Sequence, residues 1–218
     1  MNTPRTSSFG WAILLIAALL AVGCRSTYYA AYEKVGVYKR DLLKKRVIEA
    51  RDDQKEAQKQ FKDALTQLKE LTGFEGGELE KRYNSLKGEY DDCASQADRV
   101  RKRIKDVETV AGDLFDEWEG EIGQIGTPSL RDSSRQQLIA TRQRYDDLHR
   151  ALKNAEQSMT PVLAQFHDYV LFLKHNLNAQ AIASLKGETT SIQNDISRLI
   201  DQMNHSIARA DEFVQTLK

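Results

Sequence analysis

Apolar residues recur along residues 28–217 in alternating steps of four and three. The beat is cleanest at Leu79, Tyr83, Leu86, Tyr90, Cys93, Ala97, Val100, Ile104, Val107, Ala111, Leu114 and Trp118. None of these positions is charged, while Lys81, Arg82, Glu89, Asp91, Asp92, Arg101, Lys102 and Lys105 fall between them. A seam of this period, held over many turns, predicts a coiled-coil-like helix. The same beat returns at Leu138, Tyr145, Leu148, Leu152, Ala155, Met159, Val162, Phe166, Tyr169 and Leu173. It returns again at Ile182, Leu185, Thr189, Ile192, Ile196, Leu199, Met203, Ile207, Ala210 and Val214. An earlier stretch carries Leu43, Val47, Ala50, Gln54, Ala57, Phe61, Ala64, Leu68 and Leu71. Gln54 is a polar break in that seam, of the kind that sets register at a cost in stability.

Turn residues separate these stretches. Gly73, Gly76 and Gly77 form one cluster, Gly120, Gly123 and Gly126 with Thr127-Pro128 a second, and His175 to Asn178 a weaker third. They predict helices over 28–72, 78–120, 129–175 and 179–217. Similar lengths and short connections favour antiparallel neighbours. The expected fold is all-α, an elongated antiparallel bundle of about four long coiled-coil-like helices, each about 65 Å long at 1.5 Å per residue. Thr127-Pro128 reads as an N-cap followed by proline at the first helical position. Thr160-Pro161 falls inside the third stretch, and because the seam passes through Met159 and Val162 in phase, a kink is expected there rather than a break.

The first residues follow another rule. Residues 1–10 are polar with a single basic side chain, Arg5, and Trp11 to Val22 is an apolar run of about a dozen residues. A bilayer-spanning helix takes about 20, so the run suits a signal h-region. It ends in Ala21-Val22-Gly23-Cys24, which resembles the lipobox of bacterial lipoproteins, although Ala21 stands where leucine is usual. The resemblance implies cleavage before Cys24 and acylation of that cysteine. The expected organisation is a signal peptide over 1–23, a lipidated N-terminus and short tether over 24–27, and a helical domain over 28–218. Two or more acyl chains anchor a protein stably. Arg25, where such signals place an aspartate for inner-membrane retention, implies the inner leaflet of the outer membrane, facing the periplasm.

Composition narrows the partners. Lys plus Arg and Asp plus Glu each number 32. Residues 1–23 remove only Arg5, so the remainder stays almost neutral. Such a balance offers no general attraction for nucleic acid, whose binding rests on neutralising phosphates, and no polybasic membrane patch. Two cysteines, Cys24 and Cys93, are too few for a disulfide framework. Cys93 lies on a seam and is expected to be a small inert hydrophobe, with a disulfide between two copies as the alternative.

Catalytic signatures are sparse. His149, His167, His175 and His205 show no tight metal-ligand spacing, and a site using His167 and His175 needs carboxylates from other helices. Asp52-Asp53 and Asp91-Asp92 sit among lysines and arginines, as on a solvated helix face. The chain has no GxSxG or Walker pattern, and the glycines near Phe74 lack the following Lys-Ser/Thr of a phosphate loop. No cofactor, metal site or catalytic residue is expected. Tyr28, Tyr29 and Tyr32, just past Cys24, suit either a membrane interface or the covered end of the bundle.

From Tyr28 onward the chain resembles a family of proteobacterial lipoproteins known as a domain of unknown function. The resemblance rests on Tyr32 to Leu43 (YEKVGVYKRDLL), Phe74 to Asn84 (FEGGELEKRYN), Leu114 to Glu121 (LFDEWEGE) and above all Val170 to Leu185 (VLFLKHNLNAQAIASL). It implies an envelope location and a helical body, and no activity. The last block does not read as a plain seam. After Pro161 the third stretch is apolar on more than one face, which marks central burial or a partner surface. The expected partner-binding residues are Phe166, Val170, Leu171, Phe172, Leu173, His175, Asn176 and Asn178, facing another envelope protein or a second copy through helix-on-helix association. The alternatives are a ligand-binding, metal-binding or enzymatic bundle, which needs inward His, Asp or Glu on several helices, and a membrane-surface lipid-binding protein, which needs a basic amphipathic face.

Overall fold

In the computed structural model the described residues are 29, 38–73 and 78–217. The chain divides into two compact units, Met1–Leu42 and Leu43–Lys218. In the first, the Lys39 ammonium lies 4.8 Å from the centroid of the Tyr29 ring, and Tyr29 is buried. Cys24, the apolar run at 11–22, Tyr28 and Tyr32 lie outside the described residues.

Four helices make up the described chain: α1 (Lys39–Thr72), α2 (Leu79–Ile122), α3 (Pro128–His175) and α4 (Ala179–Thr216). α2 and α3 have 44 and 48 residues. The expected boundaries hold within two residues wherever they fall on described residues; the start expected at residue 28 lies outside them. Residues 74–77, where the first turn is expected, lie outside the described residues. No strand occurs among the described residues, and no described helix is long and apolar enough to cross a membrane. The fold is an all-α helical bundle.

Side-chain pairs fix the direction of each seam within the second unit. Glu70 meets Arg82 and Glu49 meets Arg103, so α1 and α2 run antiparallel. Trp118 donates to Ser134 and Arg101 to Glu156, which orders α2 against α3 in the same way. Tyr145 packs on Phe213 and Gln165 donates to Asp195 between α3 and α4. Arg51 pairs with Asp211 and Gln58 with Asn204, which returns α4 to α1 and closes the ring.

The core is the predicted seam. In α1 every expected position from Leu43 to Leu71 is buried. Full burial of a leucine or phenylalanine side chain contributes about 2 kcal/mol, so the seams supply the main favourable term of folding. In α4 the stripe departs from expectation beyond Met203: Ser206 and Phe213 are buried where Ile207 and Val214 were expected. Ser206, Ala210, Phe213 and Leu217 continue the alternation of three and four that starts at Ile182, whereas Ile207 would need two successive steps of four.

The helix ends show their own chemistry. Thr127 is the N-cap of α3 with an extended backbone and Pro128 follows in the first turn, as expected, though the Thr127 side chain makes no cap hydrogen bond. α4 is capped by Asn178, whose Oδ1 accepts from the Ala181 N–H at 3.0 Å. α3 continues through Thr160-Pro161, with Met159 and Val162 buried on either side. Pro161 is exposed, and so is Gln157, whose carbonyl loses a helical donor there. That carbonyl stays on the wet side, which is why the helix tolerates the proline.

Candidate partner surface at the turn between α3 and α4

The last turns of α3 separate the expected partner residues into two groups. Phe166, Val170 and Leu173 follow steps of four and three and are buried. They belong to the bundle core and offer no surface to a partner. Leu171 and Phe172 fall off that stripe, because each residue turns the helix by about 100°. They remain 45% and 39% exposed, side by side in the chain. Only a few large apolar side chains among the described residues share this exposure: Tyr38, Leu130 and Ile139.

The polar residues of the turn have structural partners. Asn176 Nδ2 donates to the Phe172 carbonyl at 3.0 Å, and its backbone N–H donates to the Leu173 carbonyl at 3.3 Å. The Asn178 N–H donates to the Asn176 carbonyl at 2.9 Å, while its side chain caps α4. Both asparagines therefore hold the turn in shape. His175 is exposed beside Lys174 at the end of α3, where positive charge is favoured by the helix dipole. Of the expected partner residues, Leu171, Phe172, His175, Asn176 and Asn178 are exposed, the two asparagines while also bonding the turn. Just below it, burial raises the pKa of Tyr169, with Glu188, Asp195 and Asp168 adding negative charge nearby.

The histidines do not converge. His149 Nε2 lies 2.7 Å from Glu108 Oε1, and its ring stacks on Tyr145 at 5.8 Å. Burial, followed by the charges of Glu108 and Asp146, pushes the Tyr145 hydroxyl well above its usual range. His167 stands 3.9 Å from Asp168 and 5.7 Å from the Tyr90 ring centroid. Among the described residues no three His, Cys, Asp or Glu side chains gather as a metal site. The buried polar residues there are Gln54, Thr72, Gln96 and Ser206, none of them titratable. Inward acids and imidazoles at one level, which a bundle-core metal site requires, are not found among the described residues.

Cys93 is fully buried, and burial pushes its thiol up to about 12, with Glu89, Asp92 and Asp63 adding to the effect. Its burial agrees with the expectation of a small apolar core residue. One feature was not legible in the sequence. Arg144, Asp147, Arg209, Glu212, Phe213 and Thr216 line an open groove of about 270 Å³ between α3 and α4. Its basic side chains are partly neutralised in place, Arg209 by Glu212 and the neighbouring Arg150 by Asp147.

Residues 28–217 match the family described as "Protein of unknown function (DUF2959)". Neither a curated protein nor a solved structure matches the chain.

Proposed function

The chain belongs to the DUF2959 family, and from that premise we propose that it is a lipid-anchored helical-bundle protein of the cell envelope that binds another envelope protein. The observation that carries the interaction is the exposed Leu171-Phe172 pair on a stiff turn. Exposed apolar side chains set on a preorganised backbone bind without a large ordering cost. Single exposed apolar residues need no explanation, but two at one end of a bundle, beside exposed His175, widen the apolar surface open to a partner.

The anchor rests on Ala21-Val22-Gly23-Cys24 after an apolar run too short to span a bilayer. The family match begins four residues past that cysteine, which supports a reading in which an anchor precedes the helical body. Arg25 supports an outer-membrane destination, with the helical body in the periplasm. No catalytic role is proposed, and a second copy of the chain is the variant partner.

A photo-crosslinking residue placed at 172 in cells tests the interaction, with position 166 as the buried control. A protein adduct from 172 that is absent from 166 is expected, and mass spectrometry identifies it. No adduct from a properly localised chain removes the interaction reading. Labelling with a palmitate analogue tests the anchor separately: incorporation that survives in the wild-type chain and disappears in Cys24→Ser is expected.

A further inference from the structure

The seam that joins the first and last helices contains two buried polar side chains with no partner in the protein. Gln54 of α1 and Ser206 of α4 are both 0% exposed. Neither the Oε1 nor the Nε2 of Gln54 has a hydrogen bond, and neither does the Ser206 hydroxyl. The other two buried polar residues are satisfied. Thr72 donates to the Leu68 carbonyl, and Gln96 donates to the Asp53 carbonyl while accepting from Arg99.

Gln54 and Ser206 share a level. Gln54 lies between Arg51 and Gln58, and those two residues reach Asp211 and Asn204 on α4. Ser206 lies between Asn204 and Asp211. Two polar clasps therefore bracket a layer of buried hydrogen-bonding groups that no protein atom satisfies. The α1–α2 seam differs. Asp53 there accepts from Gln96 and Arg103, Glu49 from Arg103, Gln67 from Ser85 and Glu70 from Arg82.

A buried donor or acceptor left unmade costs its full desolvation, and rehydration on opening returns that cost. We propose that the Gln54–Ser206 layer is a weak point built into the α1–α4 seam, at which these two helices part in a sub-global opening while α2 and α3 stay packed. The geometry favours this seam over the others on two grounds. It joins helices that are not connected by a turn, and it has the only layer among the described residues in which a fully buried side chain leaves every polar atom unpaired. Opening there rehydrates both groups and exposes the apolar stripe of α1 to a partner helix. Regions that open in this way exchange their amides through the local event rather than through global unfolding.

Hydrogen exchange followed by mass spectrometry on the full chain is the test. In the wild-type chain, residues 50–58 and 203–210 should exchange faster than residues 97–107 and 152–162, which are buried to the same depth. Gln54→Met with Ser206→Ala keeps the volume nearly unchanged and removes the unpaired atoms. It should slow exchange at 50–58 and 203–210 by about tenfold or more while leaving 97–107 and 152–162 close to their original rates. Each single variant should show part of the effect. Uniform exchange across the four helices of the wild-type chain overturns the proposal. So does unchanged or faster exchange at the seam in the variants, which shows that the two polar groups hold the helices together instead.

Discussion

Arg51 of α1 donates through Nη1 to Asp211 of α4 at 2.6 Å, across a separation of 160 residues. The contact joins the first described helix to the last and, with Gln58 and Asn204, brackets the unpaired Gln54 and Ser206. Arg51 also donates to its neighbour Asp52, and the pair is part-exposed. Partly solvated ion pairs contribute little, because solvent screens them and long side chains must be ordered. Asp211→Asn should therefore lower stability by about 0.5–1 kcal/mol in urea unfolding at low salt. The difference should shrink in high salt. A double-mutant cycle with Arg51→Ala isolates the pair, and a coupling that does not depend on salt contradicts this account.

Two phenylalanines on α3 should behave in opposite ways. Phe166 is fully buried, so Phe166→Ala removes a core side chain and leaves a cavity, a loss of about 3–5 kcal/mol. Phe172 is 39% exposed, and Phe172→Ala should change stability by less than about 1 kcal/mol. Under the proposed interaction the ranking reverses in cells: only Phe172→Ala should weaken partner crosslinking at normal abundance of the folded chain. Equal loss of stability in the two variants shows that Phe172 serves the core.

The seams were legible because burial in a bundle follows helical phase, and phase is visible in spacing alone. Gln54 announced itself as a polar residue on an apolar stripe. Ser206 did not, because Ile207 beside it offered an apolar residue one position on and drew the heptad with it. Keeping the alternation of three and four from Ile182 selects Ser206 and Phe213, but only by placing a serine on an apolar stripe, which residue type alone argues against. The candidate surface was half legible. Val170 to Leu173 reads as one apolar block, and only the packing of α3 divides it into buried Val170 and Leu173 and exposed Leu171 and Phe172. The roles of Asn176 and Asn178 depend on backbone geometry at the turn, which the residue types allow without specifying.

Two glutamates set opposite pH dependences. Burial raises the pKa of Glu156, but the hydrogen bonds and charges of Lys153 and Arg101 outweigh it and hold the group below 4.5. A depressed folded-state value means stability that is present above the unfolded value and lost as pH falls through the folded one. Glu156→Gln should therefore cost about 1 kcal/mol at neutral pH and flatten the loss of stability below about pH 5. Glu89 runs the other way. Burial, then Asp63 and Asp92, raise its pKa, with Lys59 opposing. The stability associated with its protonated form is present at low pH and lost as pH rises through its folded value. Glu89→Gln should raise the neutral-pH unfolding midpoint slightly and leave the acid limb unchanged. Urea melts at a series of pH values check both signs, and a common sign for the two variants refutes the assignment.

Cys93 offers a readout of the closed bundle. A thiol pushed up to about 12 and fully buried is a poor nucleophile toward any reagent in solution. Alkylation at this position, mapped by peptide mass spectrometry, should be slow in the native chain and rise with denaturant in step with unfolding. Rapid labelling under native conditions means that α2 opens far more readily than its packing allows.

Pro161 tests whether the bend-prone position in α3 is tolerated or required. A proline inside a helix removes one hydrogen bond and crowds the preceding turn, at about 3 kcal/mol in an unconstrained helix. Here the affected carbonyl belongs to Gln157, and both residues are exposed, so the carbonyl is not left unpaired in the core. Met159 and Val162 on the buried side keep their places in the core. If the proline is merely tolerated, Pro161→Ala restores the bond without disturbing that packing and raises stability by about 1–3 kcal/mol. If the backbone shape imposed by the proline sets how Met159 and Val162 meet α2 and α4, straightening the helix misplaces both, and the gain is cancelled or reversed. The exposed position of Pro161 and the in-phase seam around it favour the first result. Urea unfolding of Pro161→Ala beside Met159→Ala separates the two. A rise in midpoint for the first and a loss of about 2–5 kcal/mol for the second fit tolerance, whereas a fall in both means the packing around Met159 depends on the proline.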